Sequence, residues 1–255
     1  MNPPDGTATT TTTTDERVLN ELDTYGPAYM RIAEALGGYE DTEAEAEQVI
    51  ELLGLQAGDL VLDAACGFGR FAAALQRHGV EAVGIDISPA AIAEAERRCP
   101  GPRYLVHDLT QPLPDGVGPF DALVNVYSSF GYGITESEDL EMLAALHRAL
   151  RPGGSIVMQL SDLERSRHRL RSDAKPVVRE TNGVTETLTV DFASGRLHVR
   201  YELDGDVVDS RIRMYEADDL VRMFEQVGFK DVSAYGDFTG KPKEPADRLV
   251  LVARA

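Results

Sequence analysis

Short apolar runs of strand length alternate with amphipathic stretches of helical spacing along most of this chain. Val49, Ile50, Leu52 and Leu53 form an apolar stripe behind Thr42, which with Glu45 has the spacing of a capping box. An apolar run at about 59–63 predicts a first strand, 69–78 a helix and 81–85 a second strand. Ser88-Pro89 supplies an N-cap and a proline at the first helical position, so the next helix extends to about Arg98. Pro102 to His107 reads as a short buried strand and Phe120 to Val126 as another. Thr135 with Glu138 opens a helix ending at Leu150, Arg151-Pro152-Gly153-Gly154 breaks it, and Ser155 to Leu160 is a fifth strand. Strands without polar alternation, separated by helices, predict a parallel sheet covered on both faces.

The pattern changes over 176–215. Val184, Leu188, Val190 and Phe192 alternate with polar residues, as do Leu197, Val199, Tyr201 and Leu203. Asn182-Gly183, Ser194-Gly195 and Asp204-Gly205 punctuate them, which predicts four antiparallel strands in a meander. The α/β pattern then resumes. A helix over Glu216 to Val227 turns Leu220, Val221 and Phe224 inward, Phe229 to Tyr235 is a strand, and Arg248 to Ala253 returns beside it. A hairpin-like connection makes that last strand antiparallel. The expected sheet has seven strands in the order 3-2-1-4-5-7-6. Upstream, Glu16 to Leu36 predicts two short helices around Tyr25-Gly26-Pro27-Ala28-Tyr29, following a threonine-rich tail over 1–14.

Composition narrows the function classes. With 255 residues, 43% of them hydrophobic, the chain can hold one large α/β domain with a modest insertion. A net charge of −18 argues against nucleic acid as a partner, because phosphate binding relies on basic surface. The one dense basic run, Arg165-Ser166-Arg167-His168-Arg169-Leu170-Arg171, reads first as a solvated helix face and second as an anion site. Cys66 and Cys99 have neither metal-ligand nor disulfide-framework spacing, so a reducing cytoplasm is expected. No apolar run is long enough to span a membrane and no signal peptide is evident, so no membrane partner is expected.

The densest chemistry lies in Val61-Leu62-Asp63-Ala64-Ala65-Cys66-Gly67-Phe68-Gly69-Arg70, a strand ending in an acid, a glycine turn and a helix start. Glycines there allow close backbone approach to a ligand, and amides at the helix start suit a carboxylate or phosphate. About 20 residues on, Asp86 ends the next strand, where a ribose hydroxyl acceptor is expected. Asp108 follows the third. Gly67 to Ala72 also fits the loose dinucleotide pattern G-x-G-x-x-A. Asp63 discriminates, because a carboxylate there would repel a pyrophosphate but suits a cationic centre.

These residues resemble the first signature of the class I methyltransferases that use S-adenosylmethionine (SAM). Arg151-Pro152-Gly153-Gly154, Asn125 to Tyr132, Arg213-Met214-Tyr215 and Tyr235 to Pro242 extend the resemblance over nearly the whole chain. They look like a branch of bacterial small-molecule methyltransferases with a β-sheet lid, several of which act on amines of amino sugars, peptides or natural products. The resemblance implies an α/β, Rossmann-like fold and SAM as cofactor. It divides the chain into a tail (1–14), an N-terminal helical cap (15–56) over the cofactor mouth, a SAM-binding domain (57–174 and 216–255) and a four-stranded lid (175–215). Asp63, Ala64, Cys66, Gly67, Gly69, Asp86 and Ile87 would hold SAM, with Asp108 and Leu109 at the adenine. Arg70 would pair with its carboxylate, and Tyr25 and Tyr29 would close over it. Asn125 and Tyr127 end strand 4 beside the transferred methyl group and are candidates for the sulfonium or the acceptor.

The expected reaction is in-line transfer of a methyl group from SAM to a small-molecule or peptide acceptor. An amine is favoured because it attacks unaided once neutral, and a hydroxyl needs a base or metal. For O-methylation the candidate base is His168, which shares a helix face with Glu164. Asp162, Glu164 and His168 could converge, but a surface ion pair is the simpler reading and no metal site is expected. His147 is expected on the outer face of its helix, and Arg213 and Tyr215 as anchors of the lid. A NAD(P)-dependent oxidoreductase and a non-catalytic SAM-binding protein stay open, as does the choice between monomer and homodimer.

Overall fold

The computed structural model describes residues 25–37, 40–170 and 175–255. The threonine-rich tail, the first of the two N-terminal helices and Arg171 lie outside them. The chain opens with α1 (Pro27–Leu36) and α2 (Thr42–Leu53), followed by β1 (Leu60–Ala64), α3 (Arg70–Arg77), β2 (Glu81–Asp86), α4 (Pro89–Arg98) and β3 (Arg103–Val106). It continues with β4 (Phe120–Asn125), α5 (Glu136–Ala149), β5 (Leu150–Leu160) and α6 (Leu163–Leu170). Then come β6 (Val177–Thr181), β7 (Val184–Asp191), β8 (Arg196–Leu203) and β9 (Asp206–Arg213). The chain closes with α7 (Ala217–Val227), β10 (Lys230–Tyr235) and β11 (Leu249–Arg254).

Seven strands form one sheet in the order β3-β2-β1-β4-β5-β11-β10, the arrangement the sequence predicts. β1 pairs in parallel with β2 and β4, and β11 runs antiparallel between β5 and β10. Side chains alternate across the sheet, so each strand feeds two cores. Leu62, Ile85, Leu123 and Met158 meet α5 and α7 through Leu143, Leu146, Leu220 and Phe224. Val61, Ala82, Val124 and Val157 meet α2, α3 and α4 through Val49, Phe71, Leu75 and Ile92. This two-sided cover leaves the strand ends as the place where polar side chains can gather.

The second sheet is the antiparallel meander β6-β7-β8-β9. Asn182-Gly183 (φ 50° and 85°) and Asp204-Gly205 (φ 50° and 92°) make its tight turns. α1 packs against this sheet, with Ile32 in contact with Val184 and Val208 and the Asn182 side-chain amide donating to the Ala35 carbonyl at 2.9 Å. Buried Asp139 of α5 ties the sheet's end down. Its carboxylate accepts from the Tyr215 hydroxyl (2.6 Å) and the Gly133 amide (2.9 Å), with the Arg213 guanidinium at 3.5 Å.

Four local expectations need correction. Thr42 and Glu45 do not form a capping box: Asp41 is the N-cap, and both side chains are recruited from afar. Thr42 accepts from Arg70 at 2.9 Å and Glu45 from the Tyr127 hydroxyl at 2.6 Å. Thr135 does cap its helix, but the Glu138 carboxylate reaches the Ile134 amide (2.8 Å) rather than that of Thr135. The Arg-Pro-Gly-Gly turn lies inside β5, because Leu150 already pairs with Phe120 and pairing resumes at Ser155 opposite Ala122. His147 is not on a free outer face. Its ring stands edge-on to Phe229 with centroids 4.7 Å apart.

Candidate functional site

The acids at the strand ends are bonded to backbone amides. Asp63 is 1% exposed and accepts from the Ala72 amide at 2.9 Å, which joins the end of β1 to the first turn of α3. Asp86 accepts from Gly67 at 2.8 Å and from Ser88 at 2.9 Å, so one carboxylate holds both the glycine turn and the start of α4. Burial raises both carboxyls above the ordinary range, Asp63 to about 7. For Asp63 the Ala72 amide and Arg70 oppose the rise, and nearby Asp86 adds to it. Asp108 binds the Thr110 amide (2.9 Å) and hydroxyl (2.8 Å) at the end of β3.

The two glycines do different work. Gly67 has φ +54° and open space where a Cβ would stand. At Gly69, φ is +78° and a Cβ would lie 2.5 Å from the Tyr104 hydroxyl oxygen. Tyr104 donates to the Cys99 carbonyl at 2.8 Å, and its hydroxyl also lies 3.2 Å from the Gly69 carbonyl. Gly67 therefore leaves the turn open to a ligand, and Gly69 makes room for the protein's own tyrosine. Burial pushes the Cys66 thiol well up, and Asp63 and Asp86 push it further. It stays a thiol and packs in the turn.

Ala64 is buried at the end of β1, and its carbonyl accepts from the Asn125 side chain at 2.8 Å. Asn125 is fully buried, and its Oδ1 has no partner among the described residues. Leu109 is buried in the core below β3, whereas Ile87 is 44% exposed directly after Asp86. An exposed isoleucine beside three strand-end acids offers an apolar surface to a flat ring.

Aromatic side chains cover the same end of the sheet. The Arg70 guanidinium lies 5.0 Å from the ring centres of both Phe68 and Tyr127. Tyr29 senses Arg70 and Asp86 electrostatically, and burial raises its hydroxyl. Tyr25 packs edge-on to Tyr29 (4.9 Å) and Tyr132 (5.5 Å), and its hydroxyl is 2.8 Å from that of Ser210. Tyr29 on α1 thus lies within electrostatic reach of Arg70 and Asp86, and Tyr25, just before α1, packs on Tyr29 and on the second sheet through Ser210.

Tyr127 and Ser128 also line a cavity of about 300 Å³ between β5, α6 and the second sheet. Leu188, Leu197 and Met214 supply its apolar lining, and Arg165, Arg169, Arg179 and Arg248 its charge. The basic run read as a solvated face is thus divided. Arg167 pairs with Glu216 outside, whereas Arg165 and Arg169, four apart, share the cavity side. His168 is exposed and does not line the cavity. Asp162 and Glu164 do converge, but on the Lys243 ammonium at 2.7 Å each rather than with His168. A larger cavity, about 570 Å³, lies near the starts of β1, β2 and β3, away from the strand-end acids.

Two contributors escaped the sequence reading. Glu45 receives the Tyr127 hydroxyl, and buried Gln159 accepts from the Tyr127 amide (3.3 Å) and from Arg248 (3.1 Å). An amide inside the apolar run Ser155 to Leu160 was the available signal for Gln159.

Residues 61–154 match the family described as a methyltransferase domain. Over this segment the chain is similar to methyltransferase domains. Over 117 residues the chain is 35% identical to an uncharacterized methyltransferase of Synechocystis, across 46% of this chain and 52% of that protein. Over 109 residues it is 38% identical to the demethylmenaquinone methyltransferase of Beutenbergia cavernae, across 43% of each. The chain thus spans about half the length of these curated relatives. Among solved structures, the CcbJ methyltransferase of Streptomyces caelestis superposes with a TM-score of 0.78, covering 92% of this chain and 99% of that one at 19% identity. SAM-bound CalS10, an amino pentose methyltransferase of Micromonospora echinaspora, gives 0.66 over 89% and 95% at 21% identity.

Proposed function

We propose that the protein transfers a methyl group from SAM to a small-molecule or peptide acceptor, with an amine as the preferred nucleophile. The observation that carries this reading is the set of three carboxylates, Asp63, Asp86 and Asp108, at the ends of adjacent strands around the open Gly67 turn. Asp63 would face the cationic end of the cofactor, Asp86 the ribose and Asp108 the adenine, with Cys66, Gly67 and Gly69 forming the turn beneath. Ala64, Ile87 and Leu109 would add packing and backbone contacts, and Arg70 would meet the carboxylate. Tyr25 and Tyr29 would exclude water above it. The Asn125 Oδ1 is a buried acceptor available to a ligand hydrogen or sulfonium methyl.

Bound SAM supplies a methyl group already activated by its positive sulfur. What is asked of the chain is placement and dehydration, worth roughly 7–11 kcal/mol in favourable cases. Tyr127 would stand between cofactor and acceptor. No histidine lines the adjoining cavity, and its carboxylate Asp162 is bound to Lys243, which favours an amine over a hydroxyl that needs a base. Neighbours of this fold include the sugar N-methyltransferase KedS8 and the glycopeptide N-methyltransferase MtfA.

Calorimetric titration with SAM and with its demethylated product S-adenosylhomocysteine, using NAD as control, tests the cofactor. Binding of both and none of NAD is expected. Binding of NAD alone would transfer the reading to an oxidoreductase. An acceptor screen of amines before alcohols, followed by mass, then tests turnover.

A further inference from the structure

Four arginines around one cavity are unexpected in a chain of net charge −18. They arrive from three separate segments: Arg165 and Arg169 from α6, Arg179 from β6 and Arg248 from the residue before β11. Burial and then the charges of Arg169, Arg248 and Arg179 oppose protonation of Arg165, and Asp162 favours it. Like charges repel one another, so gathering them costs stability unless an anion offsets the cost. Asp162 offsets only part of this repulsion. Asp162 lines the cavity but is bound to Lys243, and Glu186, opposite Arg179 in the register, makes no ion pair with it. Arg169 and Arg179 have no carboxylate partner among the described residues. Arg165 and Arg248 spend one group each on neutral oxygens, the Ala246 carbonyl (3.3 Å) and Gln159 (3.1 Å).

We infer that this cavity receives the methyl acceptor, and that the acceptor carries an anionic group, a carboxylate or a phosphate, bound by Arg165, Arg169, Arg179 and Arg248. The inference rests on the methyltransferase reading for the word acceptor, but the anion site stands on its own geometry. Planar guanidinium groups match both oxyanions through paired N–H donors. The apolar lining from Leu188, Leu197 and Met214 suits a hydrocarbon or ring between the anionic end and the reacting end. Tyr127 forms the wall shared with the cofactor cleft, and Gln159 links its amide to Arg248. The arginines have a second consequence. Their field disfavours a protonated amine, so it keeps a nearby acceptor nitrogen in the neutral form that attacks.

The test is calorimetric titration of inorganic phosphate and, separately, succinate, at low ionic strength, into protein saturated with S-adenosylhomocysteine. Wild type is compared with the double variant Arg169→Gln/Arg179→Gln. Both side chains are exposed, so the variant is expected to fold and to bind S-adenosylhomocysteine as wild type does. At least one anion is expected to bind wild type, with affinity falling as salt is added, and to bind the double variant at least tenfold more weakly. The tighter of the two anions tells phosphate from carboxylate. Absence of binding by both anions, or equal binding to the variant, overturns the inference while leaving the methyltransferase reading intact. Failure of wild type to bind S-adenosylhomocysteine defeats that reading instead, and the anion titration is then judged on the protein alone.

Discussion

At one end of the cleft, Asp63 and Asp86 use their oxygens on the amides of Ala72, Gly67 and Ser88, all within one β-turn-α unit or the next. At the other end, the Arg165–Arg248 cluster hangs on long side chains from α6, β6 and the approach to β11. The first is built from backbone and short carboxylates, the second from flexible side chains on unrelated elements. Groups held by the backbone lose little entropy when a ligand arrives, whereas each arginine must give up rotamer freedom to bind. A constant cofactor can be met by the first kind of site. Acceptor choice is more readily altered through the second. With the proposed cofactor at the first and the proposed acceptor at the second, substitutions at the first should damage folding and binding together, and those at the second binding alone.

The glycine turn gives the largest expected effect. Gly69→Ala meets Tyr104 at 2.5 Å in a left-handed conformation, so it should cost about 3 kcal/mol of stability. Gly67→Ala has room and should cost about 1 kcal/mol, from backbone strain alone. Urea unfolding of both variants separates them. Equal losses would mean that the turn, not Tyr104, sets the demand at Gly69. Asp86→Ala comes next. It strands the Gly67 and Ser88 amides and should weaken SAM binding about 100-fold, close to 2.7 kcal/mol, by calorimetry. Unchanged affinity would remove Asp86 from the cofactor site.

The same contrast explains what the sequence could and could not reveal. Asp63, Gly67 and Asp86 lie on a short stretch of chain, so a strand, a turn and a helix start were enough to single them out as candidates. The sheet order followed from the alternation of buried strands with helices and from a closing hairpin. Arg169 looked like part of a charged helix face because nothing local shows that Arg179 and Arg248 come to meet it. Thr42 and Glu45 looked like a local cap because Arg70 and Tyr127, which claim them, stand 28 and 82 positions away. Both glycines looked alike until Tyr104 was placed over one of them. Long side chains brought together by tertiary packing leave no local periodicity to read.

The pH dependence of Asp63 is the third prediction. Burial lifts its carboxyl to about 7 in the fold, against about 3.9 in the unfolded chain. The folded state therefore holds the proton more tightly, and the stability it gains is complete below about pH 4 and lost as pH rises to about 7. Asp63→Asn should flatten that decline in unfolding experiments on the cofactor-free protein. Buried Asp86 and Asp139, also raised, keep part of the slope in the same direction. A cationic ligand favours the carboxylate, so SAM affinity should rise by up to about tenfold per pH unit below 7 in wild type. The rise should be lost in Asp63→Asn. Wild-type affinity independent of pH between 6 and about 7 would place the cofactor's charge away from Asp63.

Tyr127 carries the smallest prediction and bears most directly on whether the two ends are independent. Its hydroxyl donates to Glu45 at 2.6 Å, its amide to Gln159 at 3.3 Å, and its ring lies against Arg70 on the cofactor side. Tyr127→Phe removes the hydroxyl's bonds to Glu45 and Thr42 and should cost about 1 kcal/mol of stability. Ring and backbone stay, so affinity for S-adenosylhomocysteine should change less than about threefold, under 1 kcal/mol. Combined with Arg169→Gln, it forms a double-mutant cycle across the shared wall. If the backbone-held end and the arginine end act separately, the effects on phosphate affinity add to within about 0.5 kcal/mol. A larger coupling would mean that the Tyr127–Gln159–Arg248 chain transmits acceptor binding to the cofactor side, and the two ends would then have to be treated as one site.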